Sequence, residues 1–216
     1  MQMFWLGHAS FFVESGGKKL ITDPFDEKLG YPVWEAEVDV ATVSHDHWDH
    51  CAVDRLKGSP IKLQATGEFN VAGFKISGFA TYHDQSEGKE RGSNIIFKIE
   101  TEGITLLHLG DLGHQLSPEQ YTALGKIDLL MIPVGGVYTV DAREAYDIVQ
   151  AIKPRIVIPM HYHTPHLCFE LAPVEEFTCQ FEQVIKQPYL KINADNLPET
   201  MEIIILDYSS RLTVSE

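Results

Sequence analysis

Four potential metal ligands fall within six positions at His45-Asp46-His47-Trp48-Asp49-His50. His45 and His47 are two residues apart, so in extended or turning backbone their imidazoles point the same way and can grip one ion. Asp49 and His50 lie just beyond, where the chain must turn, and can face a second ion. Neutral imidazole is a borderline donor that suits Zn, and also Fe or Mn. Two ions need more donors than these four. His83 is the single histidine between His50 and His108. Asp111 ends an apolar run in His108-Leu109-Gly110-Asp111; the small Gly110 permits close approach, and the two oxygens of a carboxylate can bridge two cations. His161 ends the run Ile156-Val157-Ile158-Pro159-Met160, and the neighbouring His163 and His166 make a histidine-rich mouth. Asp23, in Thr22-Asp23-Pro24, can accept the free ring N–H of a ligand histidine and fix its tautomer, or simply make an Asp-Pro turn. His108 and His114 flank Asp111 and read as supporting residues rather than ligands. His8 has no partner that the sequence identifies. Tyr138, after Gly135-Gly136, is packing or a substrate contact, and Lys89 and Arg91 are solvated charges or contacts for an anionic group.

The elements that must position these residues read as short apolar runs between turn signals. Strands are expected at 11–14 and 19–22, joined through Ser15-Gly16-Gly17 as a hairpin. Further strands are expected at 38–43, 61–63, 70–76, 95–100, 104–109, 127–132, 155–158 and 201–206. The apolar β-branched runs among them suit strands covered on both faces. A short helix opens at Ser117-Pro118 and runs to about Leu124. Another starts at the capping box Asp141-Ala142-Arg143-Glu144 and stops before Pro154. A third is expected from Pro173 to about Lys186. The segment 17–23 echoes 103–111, each a hairpin glycine, an apolar strand and a terminal Asp, which points to two similar β-rich halves. No linker divides residues 1–216, so one domain is expected.

The chain has 216 residues, a net charge of −14 and 44% hydrophobic residues. That composition fits a globular domain and excludes collagen-like and coiled-coil sequence. The acidic balance disfavours nucleic acid and favours a small-molecule substrate. No apolar run is long enough to span a membrane. Cys51, Cys168 and Cys179 are too few and too scattered for a disulfide framework and fit a reducing, cytoplasmic location. Cys168 and Cys179 read as small buried hydrophobes. The sequence sets no oligomeric state.

His45-x-His47-x-Asp49-His50 resembles the hallmark of the metallo-β-lactamase fold superfamily. The order Asp23, His45 to His50, His83, Asp111 and His161 resembles its five motifs in sequence. More narrowly, Trp5-Leu6-Gly7-His8, Thr22-Asp23-Pro24, Leu109-Gly110-Asp111, Pro133-Val134-Gly135-Gly136 and Pro159-Met160-His161-Tyr162 resemble metal-dependent hydrolases grouped with L-ascorbate-6-phosphate lactonase. The resemblance implies an α/β fold, an αββα sandwich of two mixed β-sheets flanked by helices. It implies two divalent ions, zinc first, with manganese or iron as alternatives. His45, His47 and His83 would hold one ion. Asp49, His50 and His161 would hold the other, with Asp111 bridging and Asp23 orienting a ligand from behind. The expected activity is hydrolysis of an ester, lactone or phosphodiester by hydroxide, from a bound water whose pKa falls from 15.7 to roughly 7. Asp49 would steer that nucleophile, and the leaving-group proton would come from water, Tyr162 or His163. The alternatives are an iron-dependent oxidoreductase on the same scaffold and a non-catalytic metal-binding protein. Loops around 25–34, 85–91 and 163–171 would set specificity.

Overall fold

The structure is a computed structural model that describes residues 1–33 and 37–208; Trp34, at the end of the first expected specificity loop, lies outside the described residues. In chain order the strands are β1 (Gln2–Gly7), β2 (Ser10–Ser15), β3 (Lys18–Thr22), β4 (Val40–Thr42), β5 (Ile61–Leu63), β6 (Gly67–Val71), β7 (Phe74–Tyr82), β8 (Ser93–Thr101), β9 (Ile104–His108), β10 (Leu129–Pro133), β11 (Ile156–Met160), β12 (Val184–Gln187), β13 (Leu190–Lys191) and β14 (Glu202–Leu206). The α-helices are α1 (Pro118–Leu124), α2 (Ala142–Ile152) and α3 (Glu175–Thr178).

The strands form two mixed sheets. One runs β13-β1-β2-β3-β4-β5, the other β12-β14-β11-β10-β9-β8-β7-β6. Each contains a two-residue hairpin whose second strand pairs in parallel with the next. β2 turns into β3 through Gly16 and Gly17 and β3 pairs β4; β8 turns into β9 through Glu102 and Gly103 and β9 pairs β10. The turn residues have φ of 57° and 72° in one hairpin and 45° and 76° in the other, the left-handed backbone that matches strand twist in tight hairpins. The repeat read from 17–23 and 103–111 is therefore present in the pairing.

A core of Met3, Trp5, Phe11, Val13 and Leu20 from the first sheet and Ile76, Phe97, Leu106 and Leu130 from the second fills the space between them. Burial of each such large side chain contributes about 1.5–3 kcal/mol. α2 caps as expected, with Asp141 accepting from Arg143 and Glu144 N–H, and buries Ala145, Ile148 and Val149. α1 keeps the Ser117 box with Pro118 at its first position. Phe4, Phe12, Ile21 and Ala41 on the outer face of the first sheet are covered by Phe25, Leu29, Tyr31 and Leu56, from loops and one-turn 3-10 segments. No helix among the described residues is long and apolar enough to cross a membrane.

Several expectations are corrected. The strand expected at 70–76 is a hairpin, because Ala72 and Gly73 adopt φ of 47° and 82° and Val71 pairs Phe74. The helix expected from 173 to 186 stops at Thr178, and Val184–Gln187 instead pairs in parallel with β14, where a β-branched pair gains a ladder. β1 and β13 lie outside the expected strands. Cys168 and Cys179 are exposed rather than buried, one in a loop and one at the end of α3; all three thiols are free.

Candidate metal centre

In each sheet the donor residues follow the C-terminal ends of three strands that run in the same direction. His8, Asp23 and the 44–50 loop follow β1, β3 and β4; His83, Asp111 and His161 follow β7, β9 and β11. Strand ends of this kind are where open α/β sheets place ligands. His8, Asp23 and His161 have φ of 54°, 38° and 52°. Left-handed backbone costs a non-glycine residue about 1–2 kcal/mol, and such strain concentrates at functional sites.

The structure brings His45, His47, Asp49, His50, His83, Asp111 and His161 together. The Nε2 atoms of His50, His83 and His161 each lie 3.2 Å from Asp111 Oδ2, and His45 Nε2 lies 3.9 Å from it. His47 offers Nδ1, 2.9 Å from His45 Nε2. His8, for which the sequence identifies no partner, is the eighth member. Its Nε2 lies 3.1 Å from both Asp49 Oδ2 and His50 Nε2. No local signal in the sequence marks it; the structure shows that the glycine before it is required, since Gly7 has φ 109° and a Cβ there would stand 2.4 Å from the Tyr31 ring.

Asp23 organises two of the imidazoles from behind. Its Oδ1 accepts the Ser44 N–H at 2.8 Å, and its Oδ2 accepts the Ser44 hydroxyl at 2.6 Å and His50 Nδ1–H at 3.0 Å. The Ser44 hydroxyl, having donated, accepts from His45 Nδ1 at 2.8 Å. In the neutral rings both Nε2 lone pairs then face the cluster. Asn94 places Asp111 by accepting its N–H at 3.0 Å while donating to Thr81 and Leu109. Gly110, with φ 52°, lets the chain pass: a Cβ there would lie 2.4 Å from Asn94 Oδ1. His108 donates to Ala9 O and accepts from Gly110 N–H, a supporting role away from the donors.

Electrostatics favour a cation. Burial lowers the pKa of His8 and of His45 to about 3, and neighbouring imidazoles (His161 for His8, His50 for His45) add to it. Burial pushes Asp111 up, but the charges of His161 and His50 outweigh it and hold the carboxyl well below its usual range. Burial pushes His50 down, but Asp111 and Asp23 outweigh it and hold its proton. A divalent cation would take the place of that proton beside the ionised Asp111 and Asp49. Asp111 Oδ1 is buried without a hydrogen-bond partner among the described residues. Buried acceptors rarely stay unpaired, so this donor set fits divalent cations. Three overlapping trios have donor atoms within 4.8 Å of one another: His8, His50 and His161; His45, His47 and His83; His45, His50 and Asp111.

The cluster floors a cleft of about 390 Å³, walled by Trp48, Tyr138 and Phe169, with Arg91 at its rim. His163 and His166 do not line it. His166 stacks on Tyr31 and meets Tyr208 edge-on, and His163 is exposed. His114 sits outside the cluster, accepting from Tyr82 N–H. Tyr162 is buried against Trp5 in the core, with burial raising its pKa, so it is withdrawn as a proton donor.

Comparison with known proteins places the chain. A family profile described as a β-lactamase superfamily domain matches residues 2–161. A metal-dependent hydrolase of Pyrobaculum arsenaticum is 35% identical over 76% of this chain and 85% of its own length. One from Caldivirga maquilingensis is 32% identical over 74% and 81%. A solved structure from Thermotoga maritima, a candidate zinc-dependent hydrolase of the metallo-β-lactamase superfamily, is 37% identical. It superposes with a TM-score of 0.82 over 95% of this chain and 97% of its own. With the two-sheet fold and the strand-end cluster already in place, these likenesses establish that the chain belongs to the metallo-β-lactamase superfamily, within the UPF0173 family of metal-dependent hydrolases.

Proposed function

We propose that this chain is a two-ion hydrolase that cleaves an ester, lactone or phosphodiester bond in a small substrate. The carrying observation is the convergence of three imidazole Nε2 atoms on one oxygen of Asp111 while its other oxygen is buried with no partner among the described residues. In this reading His45, His47 and His83 hold one ion, Asp49, His50 and His161 the other, and Asp111 lies between. His8, close to Asp49 and His50, adds a donor to the second set. A pair of divalent ions, zinc first with manganese or iron as alternatives, supplies Lewis acidity and a bound water of pKa roughly 7.

The chain's own residues do the rest. Asp49 lines the cleft and orients the attacking water. Its carboxyl is kept ionised because the His8 hydrogen bond and the His50 charge outweigh its burial. Asp23 and Ser44 hold two imidazoles with their lone pairs inward. Trp48, Tyr138 and Phe169 confine the substrate, which fits a small molecule rather than a polymer. The leaving-group proton comes from water at the open mouth.

Elemental analysis of freshly purified protein tests the reading, followed by turnover on ester, lactone and phosphodiester panels. The expected result is two divalent ions per chain with hydrolysis, and His45→Ala losing metal and activity together. Retention of both by His45→Ala refutes the ligand assignment. Stoichiometric iron with oxygen uptake and no hydrolysis refutes the reaction.

A further inference from the structure

Arg91 is the one cationic side chain among the described residues that line the cleft. In a chain of net charge −14, a lone guanidinium beside the reacting centre calls for an explanation. Its surroundings are built. Asp84, directly after His83, accepts four backbone N–H bonds, from Ser86, Gly88, Glu90 and Arg91, at 2.7–3.0 Å. That carboxylate ties the 84–91 loop into a fixed turn that begins at a donor residue and ends at Arg91. Burial opposes the ionisation of Asp84, but the four N–H bonds outweigh it and bring its pKa down to about 2.

The guanidinium lies 5.5 Å from the centre of the Tyr138 ring and donates from Nη2 to Val137 O at 3.4 Å. Val137 holds φ 56°, a strained backbone for a β-branched residue, and is 61% exposed. Its strain thus sits at the contact that steadies Arg91. Among the described residues the one carboxylate within 4 Å of the guanidinium is that of Glu90, whose Oε2 lies 3.9 Å from Nη1 while its Oε1 accepts from the Ser86 hydroxyl at 2.8 Å. Among the described residues the fork is thus held only by the long Val137 bond and a 3.9 Å contact to an exposed carboxylate, both weak enough to yield to a ligand anion. Trp48, Tyr138 and Phe169 supply flat apolar walls, with Trp48 46% and Tyr138 38% exposed.

We propose that Arg91 is a specificity residue. It binds an anionic group, carboxylate or phosphate monoester, at the end of the substrate away from the scissile bond, while the aromatic walls hold an apolar body between. A planar fork pairs with either anion in a bidentate manner. The inference rests on reading this cleft as the substrate site, but its test does not require turnover.

The probes are three compounds of one shape: 3-phenylpropionate, phenethyl phosphate and neutral 3-phenylpropanamide. Their dissociation constants are measured by calorimetry on the metal-loaded full chain, as wild type, Arg91→Gln and Arg91→Lys, with metal content checked in each. Any attraction between anion and metal is common to all three proteins and cancels in the comparison. Arg91→Gln is expected to weaken at least one anion ten-fold or more and the amide less than two-fold, with partial recovery in Arg91→Lys. The anion with the larger loss identifies the group. Equal weakening of anions and amide, or no change, overturns the proposal, because Arg91 then only props Tyr138 and Val137. Selective anion loss without hydrolysis of any panel substrate leaves the Arg91 assignment standing and fails the hydrolase reading alone.

Discussion

Asp23→Asn removes a charge while keeping the shape of the side chain. Asp23 is fully buried and accepts three bonds, from Ser44 N–H, the Ser44 hydroxyl and His50 Nδ1–H. An amide keeps one oxygen. If that oxygen stays on the Ser44 N–H, its NH₂ group faces two donors. The hydroxyl can rotate to accept. His50 can accept only by moving its proton to Nε2, which then points at the cluster instead of a lone pair. Loss of such a supporting partner costs about 10–100-fold in metal affinity or activity. That equals about 1.4–2.7 kcal/mol. A hydrogen bond to a charged group contributes about 1.5–3 kcal/mol against about 0.5–1.5 for a neutral one, so exchanging the two bonds on Oδ2 for neutral ones predicts a metal-free chain less stable by about 2–3 kcal/mol. The assay is competitive titration of divalent metal against a chromophoric chelator, with urea unfolding of the metal-free protein alongside. Ser44→Ala is the comparator: it frees His45 Nδ1 and removes one donor from Asp23 but leaves the carboxylate on His50 Nδ1–H, and should weaken metal binding less. Wild-type metal affinity in Asp23→Asn, whatever its stability, refutes the claim that Asp23 sets the tautomers.

Two further outcomes are expected. Gly110→Ala must place a methyl 2.4 Å from Asn94 Oδ1 and 2.6 Å from Ser44 Cβ at φ 52°; left-handed backbone alone costs about 1–2 kcal/mol, so urea unfolding should register at least that loss together with reduced metal content. Burial raises the Tyr31 pKa to about 12, against an ordinary value near 10, so its stabilising contribution is complete below about pH 10 and is lost as pH rises through about 12. That window corresponds to up to about 2–3 kcal/mol. Wild type should lose stability from pH 10 to 12 more steeply than Tyr31→Phe by urea unfolding, and identical slopes would refute the attribution.

Much of this was legible because local rules and tertiary outcome agree. Gly16-Gly17 dictates a hairpin, Asp141 and Glu144 cap a helix, and four donors in six residues at 45–50 must crowd any ion they meet. Illegibility begins where a distant partner decides. Val184–Gln187 reads as helix until β14 offers it a parallel ladder. Ala72-Gly73 makes a turn without the Asn-Gly signature, so two strands read as one. His8 looked solitary because its neighbours in space, Asp49, His50 and His161, are more than forty residues away in the chain. Tyr162 and His163 looked equivalent, yet one faces Trp5 and the other water.

The donors are divided between the two sheets, three strand ends from each. The described chain passes from the first sheet to the second after β5, and again around β13. Ions held there would act as a rivet through two leaves that are otherwise joined mainly by apolar contact. Prising the leaves apart would tear the coordination before it emptied the core. A substitution deep in either leaf that tilts it by a fraction of an ångström would therefore be felt first as leakage of metal, well before the protein lost its shape.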